Sequence, residues 1–267
     1  MIVLGKMKQM IEAYSLKKVI NYLDSNPDES IPKVIDWVER FDRKKEYATA
    51  CRLAKEALTD PNNNWNILMK SLFTDIDAGV RKTILENFIG NSLILRNQRK
   101  SELEKKYNCN IPWTLLLDPT SACNLNCTGC WAAEYGHQLS LSFEQLDNII
   151  MQAKDLGIHM FIFTGGEPLC RKKDIIRLCE KHNDCVFSCF TNGTLIDEEF
   201  ADEMLRVKNF VPAISVEGFE KETDARRGKG TYQAVIRAMD ILREKKLLFG
   251  FSACYTRQNA DVIGSEE

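Results

Sequence analysis

The chain has 267 residues, with 36 lysines and arginines against 38 aspartates and glutamates, and a formal net charge of −2. With 44% apolar residues, this composition is typical of an ordinary globular protein of one or two domains. Such balanced charge provides no overall basic field of the kind that general binding to nucleic-acid phosphates requires, so we predict no general nucleic-acid binding.

Two features predict a cytoplasmic location. No apolar run approaches the roughly 18 to 20 residues of a membrane span, and residues 1–10 lack the long apolar centre and small-residue cleavage site of a secretory signal. The ten cysteines then serve as thiols or metal ligands, because reducing compartments rarely keep structural disulfides.

Helical periodicity dominates the chain from residue 7 to about residue 106. Apolar residues recur at helical spacing in three groups, namely Met7, Met10, Ile11 and Tyr14, then Val34, Ile35, Val38 and Phe41, then Trp65, Leu68, Met69 and Leu72. Proline, serine and asparagine interrupt this pattern at residues 24–32 and 60–64. We therefore predict an all-helical N-terminal domain over residues 1–107.

Beyond Pro112, short apolar runs alternate with amphipathic stretches. The runs WTLLLD, MFIFTG, VFSCFTNG, VPAISVEG and LLFGFSACYT read as strands, and the stretches between them read as helices. A capping box at Ser142 and Gln145 marks the start of the first helix, and Gly157 marks its end. Repeated strand and helix predict an α/β fold with a parallel sheet over residues 108–267.

The residues suited to chemistry directly follow the predicted strands. The first strand is followed by Cys123, Cys127 and Cys130, the second by TGGEP (164–168), the third by TNG (191–193) and the fourth by SVEG (215–218). Because ligands of parallel sheets bind outside the carboxyl ends of the strands, we expect these groups at one edge.

The cysteine spacing, Cys-x3-Cys-x2-Cys, puts three thiolates in one loop, close enough to ligate three irons of a cubane cluster. An unfilled fourth corner suggests an exchangeable ligand, as catalytic zinc sites keep a position for water or substrate. The spacing alone equally permits a structural zinc site with His137 as the fourth ligand.

The motif CNLNCTGC, with TGGEP one strand later, resembles the radical S-adenosylmethionine (radical SAM) superfamily over about residues 112–255. The resemblance implies a partial parallel (β/α) barrel and a [4Fe-4S] cluster on Cys123, Cys127 and Cys130. It also implies that S-adenosyl-L-methionine binds the open iron and is cleaved by one electron to a 5′-deoxyadenosyl radical, which abstracts hydrogen from a substrate. A flavodoxin or ferredoxin would donate that electron, as in an oxidoreductase or transferase of this type.

The same resemblance implies a set of cofactor-binding residues at the strand ends: Gly165, Gly166, Glu167, Pro168, Asn192, Ser215, Glu217 and Arg227. The two glycines would let the backbone approach the cofactor, and the Glu167 carboxylate would bind its ammonium group. Pro168 would fix the exit of the chain.

At the later strands, Asn192 would line the same mouth, while Ser215 and Glu217 would contact ribose hydroxyls. Arg227 would approach the cofactor carboxylate. The alternative is that Arg226, Arg227 and Lys229 form a solvated basic turn.

The sequence departs from the family pattern in two places. Gly129 stands where the family usually has an aromatic residue, so adenine packing would fall to Trp131. Family cores normally have six strand-helix units, whereas this sequence holds about five, so we expect a truncated form. A non-catalytic zinc- or cluster-binding module is therefore the alternative function, and the substrate, a peptide or a small molecule, is not specified.

The remaining seven cysteines carry no predicted chemistry. They lie mostly in or beside apolar runs, where a free cysteine is usually a small buried hydrophobe. These are Cys51, Cys109, Cys170, Cys179, Cys185, Cys189 and Cys254.

Overall fold

The computed structural model describes residues 17–42, 45 and 47–265. The chain divides into two compact units, Met1–Glu86 and Asn87–Glu267. The helix predicted around Met7 and Tyr14 lies outside the described residues. None of the helices in the described ranges combines the length and the apolar character that crossing a membrane requires.

The described part of the first unit is helical, as predicted. Its helices are α1 (residues 17–25), α2 (Pro27–Phe41), α3 (Ala48–Thr59), α4 (Asn64–Thr74) and α5 (Ala78–Leu85). Asn63 caps α4 and Asp77 caps α5, each by accepting a backbone N–H with its side chain. The buried Arg81 guanidinium pairs with Asp24, the residue before the end of α1. The helices of this unit are therefore joined by polar contacts as well as by apolar packing.

The second unit begins at Asn87, the second residue of a π-helical segment (Glu86–Leu95) that continues into α6 (Arg96–Tyr107). The Asn87 side chain donates to the carbonyl oxygens of Asn183 (2.8 Å) and Cys185 (3.0 Å). The boundary predicted at residues 107 and 108 therefore differs from the observed division, because these long-range hydrogen bonds join the π-helical segment to the sheet unit.

A five-stranded parallel sheet forms the centre of the second unit, as predicted. Its strands are β1 (Leu115–Thr120), β2 (Met160–Gly165), β3 (Val186–Thr191), β4 (Phe210–Ser215) and β5 (Gly250–Ser252). They pair in the order β1-β2-β3-β4-β5, each parallel to its neighbour. This is the strand order of a (β/α) barrel that is open between its first and last strands.

Helices connect successive strands, so that all the strands run in the same direction. They are α7 (Phe143–Asp155), α8 (Lys172–Lys181), α9 (Glu198–Val207), α10 (Glu220–Arg227) and α11 (Thr231–Glu244), with 3₁₀ turns at Trp131–Tyr135 and Pro168–Arg171. A short helix, α12 (Ala260–Ile263), follows β5. The capping box of α7 is present, because Ser142 and Gln145 each accept the other's backbone N–H. Gly157, with φ of 79°, ends this helix as expected.

Stacked phenylalanines fill the centre of the sheet. Phe161 and Phe163 of β2 both stack on Phe187 of β3, with ring centroids 5.5 and 5.8 Å apart, respectively. All three side chains are fully buried, and burial of each contributes about 1.5 to 3 kcal/mol to folding. This rigid layer holds the ends of β2 and β3 in place.

The buried pair of His182 and Asp147 predicts how the stability of the fold depends on pH. His182 Nε2 lies 2.9 Å from Asp147 Oδ1, and Lys181 donates to Oδ2 at 2.7 Å. Burial lowers the pKa of His182 below its usual value, although Asp147 opposes this effect. Burial also favours the neutral Asp147 carboxyl, but hydrogen bonds from Lys181 and His182 outweigh it and lower the pKa of Asp147.

We expect the free energy of unfolding to fall as the pH drops from 7 to 5. Over this range the unfolded chain binds a proton at His182 that the folded chain resists, so acid favours unfolding. The stability that the Asp147 carboxylate contributes is lost only at lower pH, as the pH falls below its ordinary pKa. Urea unfolding at several pH values should show a smaller loss in His182→Gln than in wild type, whereas His137→Asn, at an exposed position, should behave like wild type.

Candidate functional site

The three motif cysteines lie in the loop that follows the carboxyl end of β1, and all three are half-buried. Burial raises the pKa of Cys123 and Cys127, and neighbouring thiols of the motif raise both further. Arg227 opposes this shift at Cys127. The loop therefore gathers three thiols around one place and brings a cation to them.

Backbone hydrogen bonds fix this loop to the end of β2. The N–H of Gly166 donates to the Thr120 carbonyl (3.0 Å), and that of Glu167 donates to the Ala122 carbonyl (2.7 Å). On the other side of the loop, Thr128 N–H donates to the carbonyl of Arg226 at the end of α10 (2.8 Å). The cysteine loop is thus held between β2 and α10.

The two glycines of TGGEP are required by this contact. A Cβ on Gly166 would lie 2.3 Å from the Ala122 carbonyl oxygen and 2.4 Å from that of Ser121. A Cβ on Gly165, where φ is +108°, would lie 2.6 Å from the Thr120 carbonyl oxygen. The side-chain position of Gly165 therefore faces the end of β1, and that of Gly166 faces the backbone that leads into the cysteine motif. From the sequence we expected these glycines to give room to the cofactor.

The Glu167 carboxylate points into the protein. Its side chain accepts hydrogen bonds from Leu169 N–H (2.9 Å), the Thr191 hydroxyl (2.7 Å) and Asn192 N–H (2.7 Å), and the residue is 1% exposed. Burial raises the pKa of Glu167, and the three donors only partly offset this effect. The carboxylate bridges the ends of β2 and β3, while the buried Pro168 begins the 3₁₀ turn that follows.

We expect Glu167→Gln to destabilise the fold by about 1 to 3 kcal/mol. All three partners are donors, so the amide NH₂ of glutamine would face a donor and leave buried groups unpaired. Urea unfolding measures the loss. Glu134→Gln, at an exposed position, is the matched control and should stay within about 0.5 kcal/mol of wild type. A loss that small in Glu167→Gln would contradict the bridging role.

Asn192 ties the end of β3 to the interior of the cysteine motif. Its side-chain NH₂ donates to Asn124 Oδ1 at 2.8 Å, and Asn124 in turn donates to the Thr194 hydroxyl at 2.8 Å. Sequence reasoning placed Asn192 at the site but missed Asn124 and Thr194. The position of Asn124 between two cysteines of the motif is the one signal that could have suggested its role.

Glu217 holds two arginines beside the loop. Its carboxylate accepts from Arg226 Nη1, from Arg227 Nη2 at 2.6 Å and Nε at 3.0 Å, and from Cys254 N–H at 3.0 Å. Glu217 is 1% exposed. The alternative of a solvated basic turn is therefore wrong for Arg226 and Arg227, which end helix α10, and is right only for the exposed Lys229.

Two cavities of about 620 Å³ each adjoin these residues, a volume suited to a cofactor or small ligand. The first is bounded by Gly129 of the cysteine loop, Glu217, Arg226 and Cys254. The second lies along β1 and is bounded by Trp131 and by both glycines of TGGEP. Ser215, at the end of β4, is half-buried.

The zinc alternative with His137 is not supported by the geometry of the described residues. His137 is exposed, and its Nδ1 lies 3.3 Å from the Ser121 carbonyl oxygen. No group of three metal-binding atoms lying within 4.8 Å of one another includes His137 or the motif thiols in the described part of the chain. A tetrahedral zinc with bonds of about 2.3 Å needs its sulfurs about 3.8 Å apart. The three motif thiols are therefore not all as close together as one tetrahedral zinc would require.

The remaining cysteines follow the prediction only in part. Cys51, Cys179, Cys185 and Cys189 are buried, as expected. The expectation of burial is wrong for Cys109, Cys170 and Cys254, which are exposed. Cys109 and Cys254 lie in loops beside the strands, and Cys170 lies in the 3₁₀ turn after β2.

The family model of the radical SAM superfamily matches residues 117–259. An uncharacterized protein of Archaeoglobus fulgidus is 40% identical over 131 residues, which cover 48% of this chain and 31% of the relative. Fe-coproporphyrin III synthase of Methanosarcina barkeri is 33% identical (54% and 37% covered). Mycofactocin maturase MftC of Mycolicibacterium smegmatis is 31% identical (57% and 40% covered). The chain thus spans less than half the length of these relatives.

Two solved structures share the fold. The structure of anSMEcpe with bound AdoMet is 28% identical, with a TM-score of 0.50 over 56% of this chain and 45% of that one. Streptococcus suis SuiB bound to S-adenosylmethionine is 23% identical, with a TM-score of 0.54 over 74% and 48%, and supports the fold alone. With the family model covering more than half of its residues, the chain belongs to the radical SAM superfamily.

Proposed function

We propose that the chain holds a [4Fe-4S] cluster through Cys123, Cys127 and Cys130 and binds S-adenosylmethionine at the iron that these cysteines leave open. The observation that carries the proposal is the loop of three neighbouring, half-buried thiols at the carboxyl edge of a parallel sheet. When bound, the cluster supplies the electron that splits the cofactor into methionine and a 5′-deoxyadenosyl radical, which removes hydrogen from a substrate.

The residues of TGGEP position the loop in this proposal. Gly165 lets the end of β2 pack against β1, and Gly166 lets it pack against the backbone that leads into the cysteine motif. Glu167 fixes that end of β2 to β3. This revises the contact between the Glu167 carboxylate and the cofactor ammonium, because three protein donors already occupy the carboxylate. Pro168 directs the chain away from the site.

Charge at the site supports binding of an anionic group. Arg226 and Arg227 share the single Glu217 carboxylate, so one positive charge remains beside the cysteine loop. We assign Arg227 to the cofactor carboxylate and Glu217 to the placement of the two arginines. Ser215 would contact the ribose hydroxyls, Asn192 would line the mouth, and Trp131 would pack on the adenine from the cavity along β1.

Anaerobic reconstitution with iron and sulfide, followed by dithionite and S-adenosylmethionine, tests the proposal. We expect a brown protein that releases 5′-deoxyadenosine. The second candidate function is a non-catalytic zinc- or cluster-binding module. Such a module would bind metal but would release no 5′-deoxyadenosine.

The partners belong to the same proposal. A flavodoxin or ferredoxin in the cytoplasm would donate the electron to the cluster. Cleavage of a sulfonium needs a cluster with a reduction potential at the low end of the known range, and such a cluster needs a donor of low potential. The substrate would be a peptide or a small molecule. Relatives include a GTP 3′,8-cyclase and a mycofactocin maturase, and SuiB has been solved bound to its precursor peptide SuiA.

A further inference from the structure

Three side chains with metal-binding atoms converge at the opposite edge of the sheet. His159 directly precedes β2, and Asp184 and Cys185 directly precede β3. They therefore lie at the amino ends of these strands, whereas the cysteine loop follows the carboxyl end of β1. The proposed radical chemistry uses none of the three.

Their mutual distances are close to those of a tetrahedral metal site. Cys185 Sγ lies 3.8 Å from His159 Nδ1 and 3.8 Å from Asp184 Oδ1, and His159 Nδ1 lies 3.6 Å from Asp184 Oδ2. With one carboxylate oxygen chosen, the three atoms lie within 4.8 Å of one another. Zinc bonds of about 2.3 Å to sulfur and 2.0 to 2.2 Å to nitrogen and oxygen require separations of about 3.4 to 3.6 Å. Small side-chain rotations would meet that geometry.

The backbone that carries two of these residues is fixed. Asn91 donates to the Asp184 carbonyl (2.8 Å), and Asn87 and Asn209 both donate to the Cys185 carbonyl (3.0 and 3.1 Å). The ligands are thus placed before any ion arrives, which reduces the entropic cost of binding.

Charge and access also suit a divalent ion. Lys154 donates to Asp184 Oδ1 at 2.6 Å, which orients the carboxylate and leaves Oδ2 directed towards His159. The Cys185 side chain is fully buried, His159 is 16% exposed and Asp184 is 41% exposed, so an ion can enter past the carboxylate. One thiolate and one carboxylate would neutralise the ion, and Lys154 would remain paired.

We propose that His159, Asp184 and Cys185 bind one Zn²⁺, with water as the fourth ligand, and that this ion joins the amino ends of β2 and β3. Thiolate, imidazole and carboxylate together suit zinc rather than magnesium or calcium. Binding replaces the Cys185 thiol proton, which passes to solvent, and nothing is oxidised or reduced. The site does not depend on the proposed function at the opposite edge.

Metal content per chain tests the site. Protein reconstituted with iron and sulfide is dialysed against micromolar Zn²⁺, and zinc and iron are measured by mass spectrometry. We expect one zinc per chain in wild type and in the Cys123→Ala, Cys127→Ala, Cys130→Ala triple variant, which loses iron. Cys185→Ala and Asp184→Asn should bind zinc at least tenfold more weakly and keep their iron.

Cys189→Ala is the matched control, because Cys189 is equally buried in β3, and it should keep both metals. Asp184→Asn alters a partly exposed side chain and so tests the site even if Cys185→Ala fails to fold. X-ray absorption at the zinc edge should report one sulfur and three nitrogen or oxygen neighbours. Three sulfurs would place the zinc in the cysteine loop, and that result, or unchanged zinc binding in Cys185→Ala, would overturn the proposal.

Discussion

Single alanine substitutions at Cys123, Cys127 and Cys130 are expected to abolish both the brown chromophore and the release of 5′-deoxyadenosine. Two thiolates cannot hold three irons of a cubane, so iron content should fall from about four atoms per chain to near zero. Anaerobic visible spectra, iron analysis and chromatography of the reaction products measure the three effects.

Cys109→Ala is the control for these substitutions. Cys109 is exposed and lies before β1, outside the motif. It should keep the chromophore and the activity. Retention of both in any of the three motif variants would show that the missing thiol is not a ligand.

Gly166→Ala is expected to remove the cluster without changing any proposed ligand. The new Cβ would lie 2.3 Å and 2.4 Å from two carbonyl oxygens of the cysteine loop, so the loop or the end of β2 must move. We expect a loss of about 3 kcal/mol in the free energy of unfolding, at the upper end for overpacked sites. Loss of iron should accompany it. Urea unfolding and iron analysis measure both.

Gly250→Ala provides the comparison, because a Cβ at Gly250 would meet nothing within 4 Å. This variant should fold and load iron like wild type. If Gly166→Ala also loaded iron fully, the close packing between TGGEP and the cysteine loop would not be what positions the thiols.

The strands and their order could be predicted from the sequence because their signals are local. Each strand of the sheet is a short apolar run, and α7 begins at a capping box that two residues specify. The prediction that the cysteines, TGGEP and Asn192 share one edge of the sheet followed from the general rule that ligands bind at the carboxyl ends of parallel strands. Residue types and strand polarity were sufficient for this part of the site.

The remaining features depend on contacts between distant residues. Helix α10 is almost entirely charged, so it lacks the apolar periodicity that reveals helices, and a solvated basic turn therefore stayed open as an alternative for its arginines. The burial of Glu167 and Glu217 is set by donors from other strands and loops. Neither the true neighbours of Gly166 nor the place of Asn87 in the sheet unit has a local signal.

The hydrogen bond from Thr128 to the Arg226 carbonyl has a consequence for biosynthesis. During translation the thiols of the motif leave the ribosome long before the helix that completes their surroundings. Until that helix is made, the loop is held on one side only, and its sulfurs are open to oxidation or to capture of the wrong ion. Correct maturation should therefore follow the emergence of α10, rather than that of the motif, from the ribosome.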